Sequence, residues 1–590
     1  MYSRHVVEQS STSRSAAGEG PRGALEREWC VRLEATDAGS ELVGATRFDD
    51  DLWLACTGLD APTVLGAYRR RGVDALAALE GPFSFVLFDA RRGLLVGARD
   101  ALGERPLCYR RTETGIALAT SPLELLEPAS SGARTAAPAL DDGSLARFFA
   151  VQAPRPGRTY FRDVADLPPG HLLVVEVAGS GAVGPIRSRR VWPSDHEPVF
   201  DSSLRHDDRA VVDRFRHLLT RAVHRRIEHG HTSVLMSGGL DSTSVAAFAA
   251  RSDARLHAVS WVFDDFPGAD ERRWIHPTVE QLGLRADEVV GDRQWPLRQL
   301  DDWPIDPVAP WQGLYWWLQR AAYEHARDAG SRVLLTGEFG DHLFTERAFW
   351  LRDLLAARRL ATAGLGVGRE LVGILRGRPV GPLRAAASRA LGWRGPATVP
   401  RPWLTREAAE HVAAAERAEA AAAPWPARER CLASPPLVDP MIALASALEW
   451  RAARRFGLEL RRPYRDRALL DFVRAAPASL QYRPGESKWV LRRAVRGLLP
   501  EAVRRRRAVT SLLPLARRGL VDEEAATVRS ILDAPDAEWP RYVRPEWLRE
   551  SFPARLIAGR DGVEAVIAWQ CVCFELWRRR LAEGGLVGEA

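Results

Sequence analysis

One short string, SGGLDS at residues 237–242, limits the possible folds of this chain more than any other feature of its 590 residues. It follows an apolar segment at 233–236 and leads into a run of small residues, a pattern that predicts a strand, a tight turn and a helix. Glycines let backbone N–H groups turn toward one point, and a helix N-terminus adds partial positive charge, so the string predicts an anion site. The residues predicted to contact the anion are Ser237, Gly238, Gly239, Ser242 and Thr243.

An acidic residue inside the same string narrows the kind of anion. Asp241 would repel a bare phosphate, but a carboxylate can hold Mg²⁺, which then bridges to phosphate oxygens. The Walker string GxxxxGK[ST] is absent, so any nucleotide phosphate is expected to be held in a different way. The alternative is a tight turn in which glycine only sets the geometry and serine caps the helix.

The segments around this string alternate between helix and strand patterns. Residues 208–230 have apolar side chains at helical spacing, LHAVSWVF at 256–263 predicts a second strand, and RVLLTGEFGDHLF at 332–344 repeats the strand-then-loop order. Such alternation predicts a doubly wound parallel α/β sheet. The stretch 351–430, rich in Ala, Arg, Gly and Pro, is interpreted as a helical insertion near the carboxyl edge of that sheet.

The string and four later segments resemble the N-type ATP pyrophosphatases, which include asparagine synthetase, the β-lactam-forming synthetases and the cyclases that close lasso peptides. In family order, the later segments are VLLTGEFGD at 333–341, GLELRRPYRD at 457–466, SKWVLR at 487–492 and LPE at 499–501. These enzymes cleave ATP between its α and β phosphates, so the resemblance implies ATP and Mg²⁺ as cofactors. It also implies that Asp241 and Asp341 hold Mg²⁺, that Gly337 contributes to nucleotide binding and that Glu338 lies beside the reacting acyl group.

Lysine occurs once in this chain, at Lys488, although lysine and arginine together number 83. Codon bias toward arginine accounts for the other 82, but a planar guanidinium cannot replace a compact ammonium where a point charge is needed. The resemblance of residues 487–492 to the KxxLR segment implies that Lys488 stabilises charge on the α-phosphate and on the tetrahedral acyl centre. The alternative is a solvated surface lysine.

Two residues depart from the second loop of the family, usually written SGEGxDE. Phe339 replaces a glycine, and His342 replaces a residue that is commonly glutamate, which predicts a substrate other than that of asparagine synthetase. His342 is interpreted as a packing or capping residue, with an acid–base role as the alternative. Asp270 and Glu271 are expected either to approach substrate and Mg²⁺ or to form a solvated acidic pair.

Residues 62–109 resemble the front domain of glutamine-using members, in which GxFAFAxWD is followed by LxLARDxxGxKPLYY; the matching segments here are 81–89 and 98–107. The resemblance implies an Ntn-type glutaminase-like αββα domain. The predicted boundaries are a disordered tail over 1–25, this domain over 26–195 and the ATP pyrophosphatase domain over 208–585. A working glutaminase needs a cysteine at position 2, but position 2 is Tyr2 and the first cysteine is Cys30. The strings HRGPDG and NGEIYN are absent as well, so this domain is predicted not to release ammonia.

An amide-forming enzyme without its own ammonia source needs an amine within its substrate. The favoured hypothesis is a macrolactam synthetase that adenylates an Asp or Glu side chain of a precursor peptide and joins it to the peptide's N-terminal amine. A leader peptidase and a leader-binding protein are the expected partners. A β-lactam-like small-molecule amide synthetase and an asparagine synthetase without glutaminase activity remain alternatives. The β-lactam enzymes carry tyrosine at the position of Glu338, which favours the cyclases.

Composition argues against several other classes. Acidic and basic residues are interleaved, so the net charge of +7 predicts no nucleic-acid partner. No apolar run reaches the roughly 18 residues of a membrane span. Six cysteines without a CxxC pair favour a reducing cytoplasm. The clustered Trp311, Trp316 and Trp317 suit either a cavity for a threaded peptide or ordinary core packing.

Overall fold

The computed structural model describes most of the chain, with gaps at both ends and in several connections. The described residues are 29–36, 39–49, 51–112, 115–126, 139–178, 182–192, 201, 204, 207–252, 255–344, 350–356, 358, 360–375, 383, 387, 400–422, 439–507, 509–554 and 563–583. The predicted tail over 1–25 lies outside the described residues, and so does part of the predicted insertion over 351–430.

Two antiparallel sheets form the N-terminal part of the molecule. Their strands are β1 Cys30–Thr36, β2 Gly39–Val43, β3 Thr46–Asp49, β4 Leu52–Thr57, β5 Ser84–Asp89, β6 Leu94–Arg99, β7 Cys108–Arg111, β8 Ile116–Ala119, β9 Ala165–Asp166, β10 His171–Glu176 and β11 Arg187–Arg190. The first sheet has the order β2-β1-β8-β7-β9, and the second has the order β11-β10-β6-β5-β4-β3. Every pairing in both sheets is antiparallel.

Apolar side chains stack these sheets into layers. Val31, Val86 and Leu118 lie between the two sheets, because alternate residues of each strand point at the facing sheet. The other face of the second sheet packs on helix Ala61–Arg71, and the other face of the first sheet packs on helix Asp142–Phe149. The order helix, sheet, sheet, helix confirms the αββα arrangement that the resemblance implied.

A five-stranded parallel sheet forms the C-terminal part. Its strands are β12 Thr232–Leu235, β13 His257–Val262, β14 Arg285–Val290, β15 Val333–Thr336 and β16 Glu459–Arg461. They lie in the order β14-β13-β12-β15-β16, and all four pairings are parallel. The chain runs outward from β12 to β14 and then continues on the other side of β12 with β15. The strand order therefore switches between β12 and β15, and open α/β sheets bind ligands at the carboxyl ends of strands at such a point.

Helices cover both faces of the parallel sheet, which confirms the doubly wound α/β class. Helices Asp208–His224, Leu240–Ala249 and Arg467–Ala475 contribute to the apolar core on one face. Helices Trp316–Asp328 and Val563–Ala582 contribute to the core on the other face. Burial of apolar strand residues on both faces is what a parallel sheet requires.

The first of these helices shows how local sequence sets an element. The Asp207 side chain accepts hydrogen bonds from the backbone N–H groups of the first turn and so caps the start of helix Asp208–His224. Val211, Phe215 and Leu218 are buried and recur at helical spacing, so one stripe of the helix packs on the sheet.

The remaining elements lie mostly in the C-terminal part. The helices are Val73–Leu76, Arg272–Leu282, Gly340–Leu343, Trp350–Ala356, Leu360–Leu375, Arg406–Ala422, Pro440–Arg454, Ala478–Gln481, Trp489–Ala494, Glu501–Arg505, Leu513–Arg517, Ala525–Leu532 and Pro545–Ser551, and a hairpin consists of β17 Tyr482–Arg483 and β18 Glu486–Ser487. Three of these helices fall within 350–422, so the described part of the predicted insertion is largely helical. None of the helices in the described ranges is long and apolar enough to cross a membrane.

The N-terminal and C-terminal parts share an apolar core. Phe148 and Phe149 of helix Asp142–Phe149 are buried against Phe574 and Trp577 of the C-terminal helix. Trp311 packs edge-on against Phe148, with ring centroids 4.8 Å apart. The two neighbouring tryptophans, Trp316 and Trp317, are buried in the core under the parallel sheet. The tryptophan cluster is therefore ordinary core and interface packing.

Candidate active site

Two loops meet where the sheet order switches, one following β12 and the other following β15. Two glycines allow their close approach. A Cβ atom on Gly337 would lie 2.5 Å from the backbone nitrogen of Ser242, and a Cβ atom on Gly340 would collide with the carboxylate of Asp241. Such distances are well below van der Waals contact, so the loops can meet in this way only with glycine at both positions.

The ammonium of Lys488 joins the two loops. Its Nζ atom lies 2.5 Å from Asp241 Oδ2 and 2.6 Å from Asp341 Oδ1. Lys488 lies at the turn between β18 and helix Trp489–Ala494 and has a φ of 54°, a left-handed backbone conformation that few residues with a side chain adopt. Lys488 and Asp241 are 247 residues apart in the sequence. The fold thus brings together three charged residues that the sequence had singled out separately.

The two aspartates lie in different environments. Burial raises the pKa of Asp241, and the adjacent Lys488 ammonium opposes that shift. The Asp241 side chain is 15% exposed, whereas that of Asp341 is 86% exposed. The Asp241 Oδ1 atom is buried and has no hydrogen-bond partner among the described residues.

These two carboxylates fit the predicted Mg²⁺ as a partial coordination sphere. Mg²⁺ prefers oxygen ligands and commonly takes one or two protein carboxylates together with phosphate oxygens and water. The unpartnered Asp241 oxygen and the exposed Asp341 carboxylate supply such a donor set. Within the part of the chain that the structure describes, no group of three or more His, Cys, Asp and Glu side chains could hold a metal ion. The residues therefore suit a metal that arrives with phosphate better than a closed protein cage.

Within the first loop, the predicted anion-binding groups contact one another. Ser237 Oγ lies 3.0 Å from Ser242 Oγ and accepts a hydrogen bond from the Gly239 N–H at 3.1 Å. The Thr243 hydroxyl is fully buried and donates to the Gly239 carbonyl at 2.7 Å. In this structure Thr243 therefore closes the first helical turn. Ser237 is exposed at the surface of the loop, whereas Ser242 is buried and its hydroxyl accepts a hydrogen bond from the Ser237 N–H at 3.1 Å.

The buried side chain of Glu271 contacts the backbone of the loop that follows β12. Glu271 accepts a hydrogen bond from the Gly238 N–H at 2.8 Å and also contacts Arg506 and the Thr510 hydroxyl. Asp270 accepts a hydrogen bond from the backbone of the turn after β13. The expectation of a solvated acidic pair is therefore wrong for Glu271, because its carboxylate is needed to satisfy a buried backbone N–H and a buried guanidinium.

A second charged cluster lies beside the loop that follows β15. The guanidinium of Arg462 is fully buried and contacts three carboxylates: Glu338 Oε2 at 2.6 Å, Glu104 Oε2 at 3.5 Å, and Glu449. Arg465 adds a second cation, 3.6 Å from Glu104 Oε2. The Glu338 side chain is 40% exposed, so it is the member of this cluster most open to a substrate.

The two glutamates on Arg462 differ in their acidity. Burial raises the pKa of Glu449 to about 7, and the negative charge of Glu338 adds to the shift. Burial acts in the same direction on Glu338, but the charge and hydrogen bond of Arg462, the charge of Arg465 and a hydrogen bond with Glu449 together outweigh it, and the pKa of Glu338 is lowered. The pair thus combines a stable carboxylate with a group that takes up or loses a proton near neutral pH, as acid–base chemistry requires.

Aromatic residues hold the second loop in place. Phe339 is buried with a φ of 73°, a left-handed conformation at the position where the family has glycine. The His342 ring stacks on it with centroids 5.4 Å apart, in agreement with the interpretation of His342 as a packing residue. The Arg465 guanidinium lies 5.3 Å from the Phe339 ring centroid. The Tyr464 hydroxyl donates to the Asp241 carbonyl at 3.3 Å and so ties this region to the first loop.

Three members of the site were not predicted as functional residues: Glu104, Glu449 and Arg462. Arg462 lies in the segment 457–466, whose resemblance to the family was a signal for it. Glu104 lies in a front-domain segment that had been interpreted as scaffold. Glu449 is an isolated glutamate on helix Pro440–Arg454, and no sequence pattern distinguishes it from other helical glutamates.

An open cavity of about 670 Å³ adjoins the β17–β18 hairpin, and its lining includes Glu486, two residues before Lys488 in the sequence. One wall is a face of helix Leu360–Leu375, and the other is the turn of the β17–β18 hairpin. Glu370 fastens the two walls, since its carboxylate accepts hydrogen bonds from the Gly485 N–H and the Tyr482 hydroxyl, each at 2.7 Å. The lining includes Gly364, Leu365, Gly368, Arg369, Val372, Pro484, Glu486 and Arg507.

The sequence matches two families of known proteins. The asparagine synthase family matches residues 214–579, and the glutamine amidotransferase domain matches residues 54–183. The first match covers more than half of the chain and contains both loops of the site, Arg462 and Lys488. The second contains most of the strands of the two antiparallel sheets and Glu104.

Individual relatives are distant. The amidase chyE of Penicillium rubens is 28% identical over 320 residues, which are 50% of this chain and 44% of that protein. The glutamine-hydrolyzing asparagine synthetase 3 of Bacillus subtilis is 25% identical over 306 residues, 48% of this chain and 46% of the relative. These matches thus span less than half the length of either relative. Asparagine synthetase 1 of the same organism is 22% identical over 545 residues, 88% of this chain and 81% of that protein.

A solved structure, the glutamine phosphoribosylpyrophosphate amidotransferase from B. subtilis complexed with ADP and GMP, is also similar. It shares 13% identity at a TM-score of 0.17 and covers 54% of this chain and 74% of its own. At that score the likeness adds nothing to the fold described above.

Proposed function

This chain belongs to the asparagine synthase family, and from that premise we propose that it is an ATP-dependent carbon–nitrogen ligase that releases AMP and pyrophosphate. The observation that carries the proposal is the contact of the Lys488 ammonium with both Asp241 and Asp341 beside a glycine-rich loop. A fixed cation at the point where charge develops lowers the barrier to phosphoryl and acyl transfer.

The first step activates a carboxylate. A carboxylate oxygen of the substrate attacks the α-phosphorus of ATP, the bond between the α-phosphorus and the bridging oxygen breaks, and pyrophosphate leaves. Lys488 stabilises the negative charge on the α-phosphate oxygens. Asp241 and Asp341 would hold Mg²⁺, which when bound neutralises charge on the departing pyrophosphate. The product of this step is a mixed anhydride of the carboxylate and AMP.

The second step forms the amide. The amine nitrogen attacks the acyl carbon, and AMP leaves with the electrons of the acyl–oxygen bond. In this proposal Glu338, the more exposed glutamate, receives the amine, and Glu449 shares Arg462 with it. Because Glu449 titrates near neutral pH, this pair can take up the proton that the amine loses.

The substrate that we propose is a precursor peptide, closed into a macrolactam between an Asp or Glu side chain and its own N-terminal amine. Two observations support it. The glutamine-gripping strings HRGPDG and NGEIYN are absent from the sequence, so the amine is expected to come from the substrate. The open cavity, whose lining includes Glu486 two residues before Lys488, has a glycine-lined wall on which Leu365 is 69% exposed, a surface suited to an extended peptide. A leader peptidase and a leader-binding protein remain proposed partners.

This proposal is tested by measuring the release of pyrophosphate from ATP in the presence of Mg²⁺. Peptides that carry a free N-terminal amine and an internal Asp or Glu should stimulate the release and lose one water each. The same peptides with an acetylated N-terminus should be activated but not closed, because the attacking amine is blocked. Stimulation of pyrophosphate release by free aspartate with ammonia, and none by peptides, would show that the substrate is a small molecule and not a peptide.

A cavity-filling variant tests where the peptide binds. A Cβ atom on Gly368 would meet no other atom within 4 Å, so Gly368→Trp should fold and fill the cavity. We expect it to raise the KM for peptide by about tenfold while leaving the KM for ATP unchanged. Leu371→Trp is the matched control, since Leu371 is exposed on the same helix but does not line the cavity. An unchanged KM for peptide in Gly368→Trp would place the peptide elsewhere.

A further inference from the structure

One carboxylate of the charged cluster around Arg462 comes from the N-terminal part of the molecule. Glu104 is buried and lies 3.5 Å from Arg462 and 3.6 Å from Arg465, both of which belong to the C-terminal part. It is the only front-domain carboxylate that the structure shows in contact with Arg462 in the described ranges. The two domains therefore meet at the reaction centre as well as in the shared apolar core.

The turn that carries Glu104 is rigidly built. The buried carboxylate of Asp100 accepts hydrogen bonds from three backbone N–H groups of this turn, those of Leu102 at 3.0 Å, Glu104 at 3.1 Å and Arg105 at 2.9 Å. Arg105 also lies 3.5 Å from Glu459, on the strand that leads to Arg462. A turn fixed in this way holds its side chains with little freedom, which a positioning group needs.

We infer that Glu104 is a positioning residue for the ligase reaction: the front domain holds Arg462 through Glu104, and Arg462 in turn holds Glu338 and Glu449 toward the acyl centre. The guanidinium of Arg462 is fully buried, so its N–H donors need acceptors within the protein. Loss of the Glu104 carboxylate would leave a donor without an acceptor and would let Arg462 shift relative to Glu338 and Glu449. The front domain then serves the ligase site directly, whatever its activity toward glutamine. The inference rests on the proposed function for the identity of the step that it assists.

The negative charge of Glu104 should affect the pH dependence of the reaction. Arg462 and Arg465 place two positive charges near Glu338 and Glu449, and Glu104 offsets part of that charge. Without it, the remaining carboxyl groups feel a more positive surrounding, which favours their charged forms and lowers their pKa values. The acid limb of the pH–rate profile should then move to lower pH, while ATP binding by the separate Lys488 cluster stays the same.

The test compares Glu104→Gln with Glu80→Gln. Glu80 also joins the two parts, through Arg225, but this ion pair is half exposed and contains no residue of the site. We expect Glu104→Gln to lower kcat for amide formation by on the order of 10-fold to 100-fold, since small displacements of catalytic groups cost that much. Its KM for ATP should stay at the wild-type value, and the acid limb should shift downward. Glu80→Gln should match the wild type in all three.

Hydrogen exchange at residues 337–343 gives a readout that needs no substrate. Exchange should quicken there in Glu104→Gln and not in Glu80→Gln. If the wild type activates no carboxylate at all, the proposed function falls, and this measurement still decides the positioning role. Wild-type kcat, pH profile and exchange in Glu104→Gln would overturn the inference, as would an equal loss of ATP binding. If that variant does not fold, Glu104→Asp takes its place with the same expected split.

Discussion

Lys488, Asp241 and Asp341 form a trio with one positive and two negative charges, so the trio is net negative. Under the proposed function, such a site would repel bare triphosphate and attract a divalent cation, which would favour binding of ATP as its Mg²⁺ complex. The Lys488 ammonium, which contacts both carboxylates, also offsets the repulsion between the two aspartates. The one lysine of the chain thus contacts both carboxylates that were predicted to hold Mg²⁺.

Replacement of that lysine by arginine is the sharpest test at the level of one residue. Lys488→Arg keeps the charge, but a planar guanidinium cannot fit between two carboxylates that a compact ammonium contacts at 2.5 and 2.6 Å. We expect kcat to fall by on the order of 100-fold, comparable with the loss of one transition-state donor. Steady-state kinetics checks it, with Arg496→Lys, an exposed position, as the control. Activity near the wild-type value would remove Lys488 from the reaction centre.

The pH dependence of amide formation follows from Glu449. Its pKa is raised to about 7 by burial and by the charge of Glu338, so the proton-accepting form is lost as the pH falls through about 7. The rate of the amine-attack step should therefore decline below neutral pH. Glu449→Gln removes the titrating group and should abolish this limb together with most of the rate, whereas Glu324→Gln, on a partly exposed helix position, should keep it. A limb that survives in Glu449→Gln would assign the proton to another group.

The sequence could identify the residues that lie in short strings but not those that depend on distant contacts. Lys488, Asp241 and Asp341 each lie in a recognisable segment, and the structure brings them together. Glu449 has no such segment, because its role depends on burial next to Arg462 and Glu338, and those contacts are set by the packing of helix Pro440–Arg454.

At the level of elements, the site depends on two loops that approach more closely than side chains allow. Gly337→Ala would place a Cβ atom 2.5 Å from the Ser242 backbone nitrogen, and backbone cannot move aside as a flexible side chain can. We expect a rise in the Kd for the nucleotide of at least about tenfold, together with a lower melting temperature. Gly268→Ala is the control, because its Cβ atom would meet nothing within 4 Å.

Isothermal titration of the Gly337→Ala variant with a non-hydrolysable ATP analogue and Mg²⁺ gives the measurement. Wild-type affinity in this variant would show that the two loops need not touch for nucleotide to bind. Reduced affinity in the Gly268→Ala control as well would show that the effect comes from general destabilisation.

The strand–turn–helix order of these elements could be predicted, whereas the contacts inside the loops could not. Glycine-rich strings and apolar runs are local signals, and they gave the parallel sheet and both loops. The roles of Thr243 and Glu271 depend on which hydrogen bonds the folded loop leaves unsatisfied. The left-handed backbone at Phe339 likewise depends on tertiary structure. Burial of its ring in the core holds the residue in a conformation that a side chain disfavours.

At the level of the whole molecule, the two domains form one unit through helix Asp142–Phe149. Phe149 is fully buried, stacks on Tyr542 at 5.1 Å and meets Phe574 edge-on at 5.3 Å. Phe149→Ala should lower the free energy of unfolding by about 3–5 kcal/mol, the usual cost of removing a buried aromatic ring. Phe48→Ala, at an exposed position on β3, should cost far less.

Thermal unfolding followed by calorimetry checks this prediction and the coupling of the two domains together. The shared core predicts that both parts unfold in one transition in the wild type and that Phe149→Ala lowers its midpoint. Two separate transitions in the wild type, with only one affected by the substitution, would show that the domains are energetically independent.

The αββα and parallel-sheet architectures could both be expected from the resemblance, but the way the two domains meet could not. The interface consists of aromatic side chains from helix Asp142–Phe149 and the C-terminal helix, together with the contact of Glu104 with Arg462. These residues are far apart in the sequence, and no local pattern pairs them.

The products of one glutamine-free reaction distinguish a peptide-closing ligase from an enzyme that acts on a small molecule. Wild-type protein, ATP, Mg²⁺ and a peptide with a free N-terminal amine and an internal acidic side chain are incubated, and the peptide mass and nucleotide products are measured together. We expect one peptide lighter by one water for each AMP and pyrophosphate formed. ADP and phosphate as products, or AMP and pyrophosphate formed with asparagine while the peptide is unchanged, would contradict it.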